Sequence, residues 1–187
     1  MAYYDEKKNV ESYVKMAEGY DGRELVEILQ KYLKPGSTVL ELGMGPGVDF
    51  ELLSEHFQVT GSDYSSAFLE RYWQKNPDAD LLSLNAVTME IDRQFDCIYS
   101  NKVLHHLTRE ELKTSLQKQA HVLNKHGILL HSFWAGDKEE SHVGLRFVYY
   151  TKKELRKLIG DEYEVLEAKE YTEMGKNDSI YLILRKK

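Results

Sequence analysis

The stretch Val39-Leu-Glu-Leu-Gly-Met-Gly-Pro-Gly47 decides the fold of this chain. Its first residues predict a buried strand, and its glycines predict a tight turn into a helix that reaches about Glu55. Such a turn lets the backbone come close to a ligand, and the first N–H groups of the helix are free to bind anionic or carboxylate groups. We therefore assign Gly43, Gly45 and Gly47 to a ligand-binding loop.

An acidic residue follows the next predicted strand. The apolar segment 57–62 ends on Asp63, where a carboxylate can accept hydrogen bonds from both hydroxyls of a ribose. Together with the glycine turn, this residue predicts an adenosine-containing cofactor. A turn without a ligand is the alternative, and the order of strand, turn, helix and acid disfavours it. The dinucleotide pattern G-x-G-x-x-G requires a glycine where this chain has Val48.

Short apolar runs alternate with segments of helical period along the chain, which is typical of βαβ units and a mostly parallel sheet. Helical spacing in the first 35 residues stops at Lys34-Pro35-Gly36. Ser65 is predicted to cap a helix running towards Lys75. Further strands are predicted at 80–84, 95–100 and 128–133. A capping box at Thr108 predicts the start of a helix that ends near His126-Gly127, and a second box at Thr151 predicts the start of a short helix. Residues 163–171 and 179–185 are predicted to pair as a terminal hairpin.

Length and composition narrow the class of protein. The 187 residues predict one domain, 1–187, with an N-terminal helical or lid segment 1–34 and a core 35–187. The net charge of −6 disfavours a nucleic-acid partner, and no apolar run is long enough for a membrane span. One cysteine, Cys97, and the lack of a signal peptide predict a cytoplasmic protein. A monomer or a homodimer is expected.

Five segments together resemble the class I S-adenosylmethionine-dependent methyltransferases. They are VLELGMGPG (39–47), GSDYS (61–65), LNA (84–86), FDCIYSNKVLHHL (95–107) and LNKHGILLHSFW (123–134), and they follow the family's order and spacing. The resemblance implies a single-domain α/β fold with a Rossmann-like doubly wound sheet and helices on both faces. It implies seven strands in the order 3-2-1-4-5-7-6, with only the last strand antiparallel.

The same resemblance implies which residues bind S-adenosyl-L-methionine. The glycines make room for its methionine part, Asp63 binds the ribose, and Asn85 with the N–H of Ala86 pairs with the adenine. The family more often has Asp where this chain has Asn85, whose amide oxygen can still accept a hydrogen bond. Three further residues are implied: Glu41 orders the loop or reaches the cofactor amine through water, Tyr64 lies against the adenosine, and Asn101 faces the methionine end.

Two features point to a small-molecule acceptor. After the fourth predicted strand the chain reads Ser100-Asn-Lys-Val, without the Asp/Asn-Pro-Pro-aromatic tetrad that holds a planar amine in related enzymes, which disfavours nucleobase amines and glutamine side chains. Cys97 falls inside a predicted strand and is expected to pack in the core, so it does not suit an attack on a pyrimidine carbon. The acceptor atom, oxygen, nitrogen or carbon, stays open.

Candidate catalytic and substrate residues lie outside the cofactor motifs. His105 and His106 are nearest the expected methyl group, and either can serve as a general base, with inward packing as the alternative. Tyrosines near the N-terminus, among them Tyr3 and Tyr4, and the long connection 134–150 are candidates for a lid over the site. Candidate substrate contacts are Tyr20, His142, Arg146, which could clamp a carboxylate or phosphate, and Tyr150. No metal site is predicted, because no acidic or cysteine ligand supports the histidine pairs.

The sequence thus predicts an S-adenosylmethionine-dependent methyltransferase acting on a small molecule. Two alternatives remain at this point. One is a non-catalytic cofactor-binding partner or regulatory subunit, and the other is an NAD(P)-dependent oxidoreductase, which Val48 and the antiparallel end of the sheet disfavour.

Overall fold

The computed structural model describes Tyr4, residues 7–142 and residues 144–187. Its fold is a mixed sheet with helices on both faces. The strands are β1 (Thr38–Leu42), β2 (Gln58–Asp63), β3 (Leu81–Ser83), β4 (Phe95–Asn101), β5 (Leu123–Trp134), β6 (Glu139–His142), β7 (Leu145–Val148), β8 (Tyr163–Tyr171) and β9 (Ser179–Lys186). The helices are α1 (Lys7–Met16), α2 (Arg23–Leu29), α3 (Val48–Ser54), α4 (Ser66–Trp73), α5 (Arg109–Val122) and α6 (Lys152–Leu158).

Seven strands form the main sheet in the order β3-β2-β1-β4-β5-β9-β8, and β6 and β7 form a separate hairpin. The first five strands are parallel, and β9 runs antiparallel to both of its neighbours, β5 and β8. Without the separate hairpin in the numbering, this is the predicted order with one antiparallel strand. The predicted fold class is confirmed.

The central strands are buried on both faces, as parallel strands covered by helices must be. Val39 and Leu40 of β1 have no exposed surface, and neither has Cys97 of β4. One side of the sheet packs on α5 and α6, and the other packs on α2 and α3. Burial raises the pKa of the Cys97 thiol, so this cysteine fills the core, as predicted.

The prediction that α5 ends near His126-Gly127 is wrong. The helix ends at Val122, because Leu123 is extended, buried and paired with Phe95 of β4. The register of β5 then shifts before Ile128, and the extra residues form a bulge in which His126 adopts a φ of 61°. His126, and not Gly127, takes the left-handed conformation.

Two capping boxes form as predicted, and one expected cap does not. Thr108 and Thr151 each exchange hydrogen bonds with the glutamate three residues later. Ser65 precedes α4, yet its hydroxyl accepts no hydrogen bond from the helix N–H groups and instead donates to the carbonyl oxygen of Tyr4 over 2.7 Å. Ser65 therefore ties the N-terminal segment to α4.

Among the helices formed by the described residues, none is long and apolar enough to cross a membrane.

A chain of buried polar groups crosses the core beneath the sheet's carboxyl edge. His131 Nδ1 lies 2.8 Å from the Ser100 hydroxyl, and His131 Nε2 lies 2.8 Å from the amide oxygen of Gln119. The amide nitrogen of Gln119 donates to Ser115, whose hydroxyl donates to the carbonyl of Ala86. Because Gln119 offers an oxygen, His131 carries its proton on Nε2 and is neutral. This series of hydrogen bonds connects the loop that contains Ala86 to α5 and β5.

We expect this histidine to make the stability of the fold depend on pH. Burial lowers the pKa of His131 to about 3, whereas in the unfolded chain it is about 6.5. Its contribution is complete above pH 6.5 and is lost as the pH falls towards 3, at about 1.4 kcal/mol per pH unit. Urea unfolding of wild type and His131→Gln between pH 4.5 and 7.5 measures this: the variant should show the shallower slope, and the exposed His121→Gln should keep the wild-type slope.

Candidate functional site

The glycine loop and Asp63 meet at the carboxyl edge of the sheet, because β1 and β2 are parallel and pair Leu42 with Ser62. The Asp63 carboxylate accepts hydrogen bonds from the N–H groups of Gly45, at 2.9 Å, and Ser65, at 2.8 Å. Each oxygen keeps a second lone pair for a ligand hydroxyl. Asp63 therefore shapes the loop and stays available as an acceptor.

Three adjoining cavities open at this edge, and Tyr13 and Lys102 line all of them. The loop cavity, of 120 Å³, is lined by Glu41, Gly43, Gly45, Asp49 and Asn101. The Asp63 cavity, of 410 Å³, is lined by Gly45, Asp63, Tyr64, Asn85 and Ala86. The aromatic cavity, of 350 Å³, is lined by Tyr4, His105, His106, Trp134 and Phe147. The last two have the size of small-molecule pockets, about 300–1,000 Å³.

The loop cavity is lined by a buried carboxyl group, that of Glu41, for which the described residues provide no cation. Glu41 is 3% exposed, and its Oε2 has no hydrogen-bond partner among the residues that the structure describes. Burial, with the nearby carboxylates of Asp49 and Asp63, raises the pKa of Glu41 well above its usual value. Burial also raises the pKa of Asp63. A cationic ligand would relieve both effects.

Asp49, in the first turn of α3, is a functional residue that sequence reasoning missed. Its carboxylate accepts from the Gly22 N–H at 2.7 Å, the Tyr99 hydroxyl at 2.7 Å and the Asn101 amide at 3.1 Å. It thus joins the segment before α2 to the end of β4 and the glycine loop. An acidic residue in a first helical turn is a common pattern, so the sequence held no sign of these distant partners.

The residues predicted to surround the adenosine lie together. Tyr64 is 63% exposed at the mouth of the Asp63 cavity. The amide oxygen of Asn85 accepts from the Val87 N–H at 2.8 Å, so it has one lone pair left for a ligand. Asn101 lies apart from this group, in the loop cavity, with its oxygen bonded to Ser132 and its amide to Asp49.

Gly45 and Gly47 serve different purposes. A Cβ on Gly45, at a φ of 49°, would meet only a Tyr13 ring atom 3.7 Å away, so the space beside it is open to a ligand. A Cβ on Gly47, at a φ of 90°, would lie 2.3 Å from the Tyr72 ring. Gly47 therefore permits close packing of the turn on α4. The structure does not place it with Gly43 and Gly45 against the cavities.

The candidate substrate residues are dispersed. Tyr20 lines the loop and aromatic cavities, and His142 lines the aromatic cavity. Arg146 points elsewhere and pairs with Glu139, while its backbone carbonyl bonds His106. Tyr150 is fully buried in the core, with its ring 5.3 Å from that of Phe133. Of these four, Tyr20 and His142 are the ones placed to contact a ligand.

The adjacent histidines have different surroundings. His105 is 2% exposed and lies nearly parallel to Phe147 at 5.4 Å, and within the described part of the chain neither of its nitrogens has a hydrogen-bond partner. His106 Nδ1 lies 2.6 Å from the carbonyl oxygen of Arg146. Burial lowers the pKa of both rings, and the shift is large for His105. Both imidazoles are therefore neutral at neutral pH.

Lys102 stands where the three cavities meet, and sequence reasoning missed it too. Its ammonium forms an ion pair with Glu173, donates to Ser179 at 2.8 Å and lies 3.8 Å from the centre of the Trp134 ring. Burial lowers the pKa of Lys102, and Glu173 opposes that shift. Glu173 comes from the hairpin between β8 and β9, far along the chain, so no local pattern could reveal the pair.

An aromatic cluster holds the N-terminal segment over the Asp63 cavity. The rings of Tyr4 and Tyr13 lie 5.4 Å apart, and each packs on Phe68 of α4, at 5.4 and 5.7 Å. The hydrogen bond from Ser65 to Tyr4 adds to this contact. Tyr3, another candidate lid residue, lies outside the described residues.

Comparison with known proteins finds similarity to methyltransferases. Residues 39–127 match the sequence family described as "Methyltransferase domain". A malonyl-(acyl-carrier protein) O-methyltransferase of Anoxybacillus flavithermus is 28% identical over 127 residues, which is 65% of this chain and 48% of that protein. The chain spans about half the length of the curated relatives it matches.

Two solved structures show the same fold. The N-methyltransferase NodS of Bradyrhizobium japonicum, in complex with S-adenosylhomocysteine, has a TM-score of 0.72 at 17% identity, over 91% of this chain and 90% of that chain. The 1,6-didemethyltoxoflavin-N1-methyltransferase of Burkholderia thailandensis, with 1,6-didemethyltoxoflavin and S-adenosylhomocysteine bound, has a TM-score of 0.73 at 18% identity, over 100% and 91%.

The Asp49 contacts predict a stability effect. Asp49→Asn replaces one acceptor oxygen with an amide that faces other donors, so we expect a loss of about 2–3 kcal/mol in the free energy of unfolding. Urea unfolding measures the loss, and limited proteolysis should show faster cleavage around residues 17–22. Glu51→Gln, on the exposed side of α3, is the control and should change stability by less than about 0.5 kcal/mol. Equal stability of the two variants would contradict the assigned role of Asp49.

Proposed function

We propose that this chain, a member of the class I S-adenosylmethionine-dependent methyltransferases by its matched domain over residues 39–127, is an enzyme that methylates a small molecule. The observation that carries the proposal is the unpartnered, buried Glu41 carboxylate beside an open glycine loop, in a cavity continuous with Asp63. S-adenosylmethionine carries a sulfonium and an ammonium group, and both are complementary to this acidic edge.

The residues present fit the cofactor part by part. Asp63 has free lone pairs for the ribose hydroxyls, and Asn85 and Ala86 border the same cavity, where an adenine can be held. Glu41 and Asn101 border the loop cavity, where the methionine part can be held. When bound, S-adenosylmethionine supplies an electrophilic methyl group for in-line displacement. The chain's own contribution is then to hold the acceptor at attack distance and to exclude water.

The aromatic cavity is the proposed acceptor site. It adjoins the Asp63 cavity at Tyr4, Tyr13, Lys102 and His106, so an acceptor there lies next to the cofactor. Its volume of 350 Å³ suits a metabolite better than a folded macromolecule. The toxoflavin enzyme named above acts on a small molecule, and we extend that class of acceptor to this chain as part of the proposal.

The N-terminal segment is proposed to act as a lid. The chain is proposed to be a single domain, 1–187, with its core in 35–187, and the lid is assigned to the described residues that precede α2, because α2 itself packs in the core. The cluster of Tyr4, Tyr13 and Phe68 and the Ser65 hydrogen bond are contacts that must open to admit a cofactor. The described part of the lid contributes Tyr13 and Tyr20 to the cavity walls, so its closure would also complete the acceptor site.

The role of Asp63 can be tested directly. Asp63→Asn removes the charge that strengthens its hydrogen bonds to the ribose, so affinity for S-adenosylhomocysteine should fall by about 10- to 100-fold. Isothermal titration measures this. Asp80→Asn is the matched control, since its carboxylate also accepts hydrogen bonds, from Thr60 and Arg93, but lines none of the three cavities. Normal binding by Asp63→Asn would refute the cofactor site, and turnover without binding of any cofactor would refute the activity.

Glu41 should couple cofactor binding to a proton. Its raised pKa means that the free protein holds a proton there at pH values where an exposed glutamate has none. An ammonium placed near it favours the carboxylate, so binding should release a proton, and affinity should rise with pH through this range. Titrations of S-adenosylhomocysteine in phosphate and in Tris buffer measure this release. The buffer takes up the released proton, so the measured heat of binding should differ between the two buffers. Glu41→Gln should abolish the difference; an unchanged difference would assign the proton to another group.

A further inference from the structure

His105 is a buried polar side chain in the wall of the aromatic cavity, and it is 2% exposed. Neither of its nitrogens has a hydrogen-bond partner among the described residues. Leaving such groups unpaired costs stability, so native cores rarely contain them. Its ring lies nearly parallel to that of Phe147, and the ring centres of His105 and Trp134 are 6.4 Å apart, so aromatic rings flank the imidazole. A neutral imidazole offers one donor and one acceptor, and a ligand with both would satisfy it.

His106 has a fixed tautomer. The carbonyl oxygen of Arg146 can only accept, so Nδ1 of His106 donates to it and carries the proton of the neutral ring. The lone pair is then on Nε2. His106 lines both the aromatic and the Asp63 cavity, so it lies on the boundary between the proposed acceptor and cofactor sites. A general base for methyl transfer has to be on this boundary.

The aromatic cavity has no unpaired formal charge among the described residues that line it. Its two charged side chains, Lys102 and Glu173, form an ion pair with each other. A phosphate, carboxylate or ammonium group entering it would lose water without gaining a free counter-ion. Tyr4, Tyr13, Trp134 and Phe147 instead offer ring faces and edges. Such walls favour flat, apolar ligands through stacked and edge-to-face contacts.

Resting on the proposed function, we propose that the acceptor is an uncharged, planar aromatic or heteroaromatic molecule with an ionisable O–H or N–H, bound by His105 and deprotonated by Nε2 of His106. The acceptor's lone pair forms the new bond to the methyl carbon while the carbon–sulfur bond breaks towards sulfur. The acceptor's proton passes to Nε2, and the resulting imidazolium later loses that proton to water. The products are the methylated acceptor and S-adenosylhomocysteine.

Probe binding tests the acceptor class. Four molecules of similar size are compared by saturation-transfer NMR with the full chain, with and without S-adenosylhomocysteine: 4-methylphenol and benzimidazole as neutral probes, benzoate and benzylamine as charged probes. The neutral pair should bind at least about tenfold more tightly, because the cavity has no free counter-ion. Equal or tighter binding of a charged probe, or binding of none, overturns the proposal. Titration with S-adenosylhomocysteine is run separately, so failure of the cofactor site is recognised independently.

His105→Phe separates ligand recognition from packing. The variant keeps a ring against Phe147 and removes the two unpaired nitrogens, so its melting temperature should rise by about 2–4 °C. Its affinity for 4-methylphenol and benzimidazole should fall by about tenfold. His121→Phe, at an exposed position on α5, is the control and should leave probe binding unchanged. A fall in melting temperature with unchanged probe binding would make His105 a packing residue and overturn its role.

His106→Asn tests the base. The Asn side-chain amide can still donate to the Arg146 carbonyl, but it has no basic nitrogen in place of Nε2. Transfer of labelled methyl to whichever neutral probe wild type methylates should slow by about 10²- to 10⁴-fold, while probe and S-adenosylhomocysteine affinities stay within about twofold. An unchanged transfer rate overturns the assignment of His106. So does a wild type that binds cofactor and probes but methylates neither neutral probe.

Discussion

The geometry of the site depends on the hydrogen bonds that the buried carboxylate of Asp49 accepts. Its three hydrogen bonds join a segment that precedes α2, a tyrosine inside β4 and the amide that ends β4. The partners come from two distant parts of the chain, the segment before α2 and the strand β4, so one side chain of α3 connects both to the glycine loop. A neutral acceptor would bind the same donors more weakly. The charge of Asp49 is thus balanced by hydrogen bonds, in contrast to that of its neighbour Glu41.

That contrast explains how a stable fold can contain an acidic site. Asp49 has its donors within the protein, Asp63 accepts from the backbone N–H groups of Gly45 and Ser65, and one oxygen of Glu41 has no donor among the described residues. The number of hydrogen bonds that the protein donates to each carboxylate therefore decreases from Asp49 to Asp63 to Glu41. The fold tolerates Glu41 because its raised pKa lets it hold a proton until a cation arrives.

The fold and the placement of the glycine loop beside Asp63 could be predicted because their signals are local. Val39–Gly47 carries strand, turn and helix in one run, and Asp63 follows its own strand directly. The Lys102–Glu173 pair depends on contacts between residues far apart in sequence, which no spacing reveals. The β6–β7 hairpin lies within the connection that was expected to be long, and it was not predicted, although its pairing places the Arg146 carbonyl against His106. Tyr150, expected at the cavity wall, packs in the core because the segment after β7 turns its ring onto Phe133.

Adjacent histidines can perform separate tasks only if something other than sequence distinguishes them. Here the distinction comes from the β6–β7 hairpin and the walls of the aromatic cavity. The Arg146 carbonyl fixes the proton of His106, whereas Phe147 stacks on His105 and gives it no hydrogen bond. Arg146 and Phe147, two neighbouring residues of β7, thus give the two histidine rings different surroundings. The hairpin is therefore part of the site, and changes in its sequence would alter the acceptor side while leaving the glycine loop and Asp63 intact.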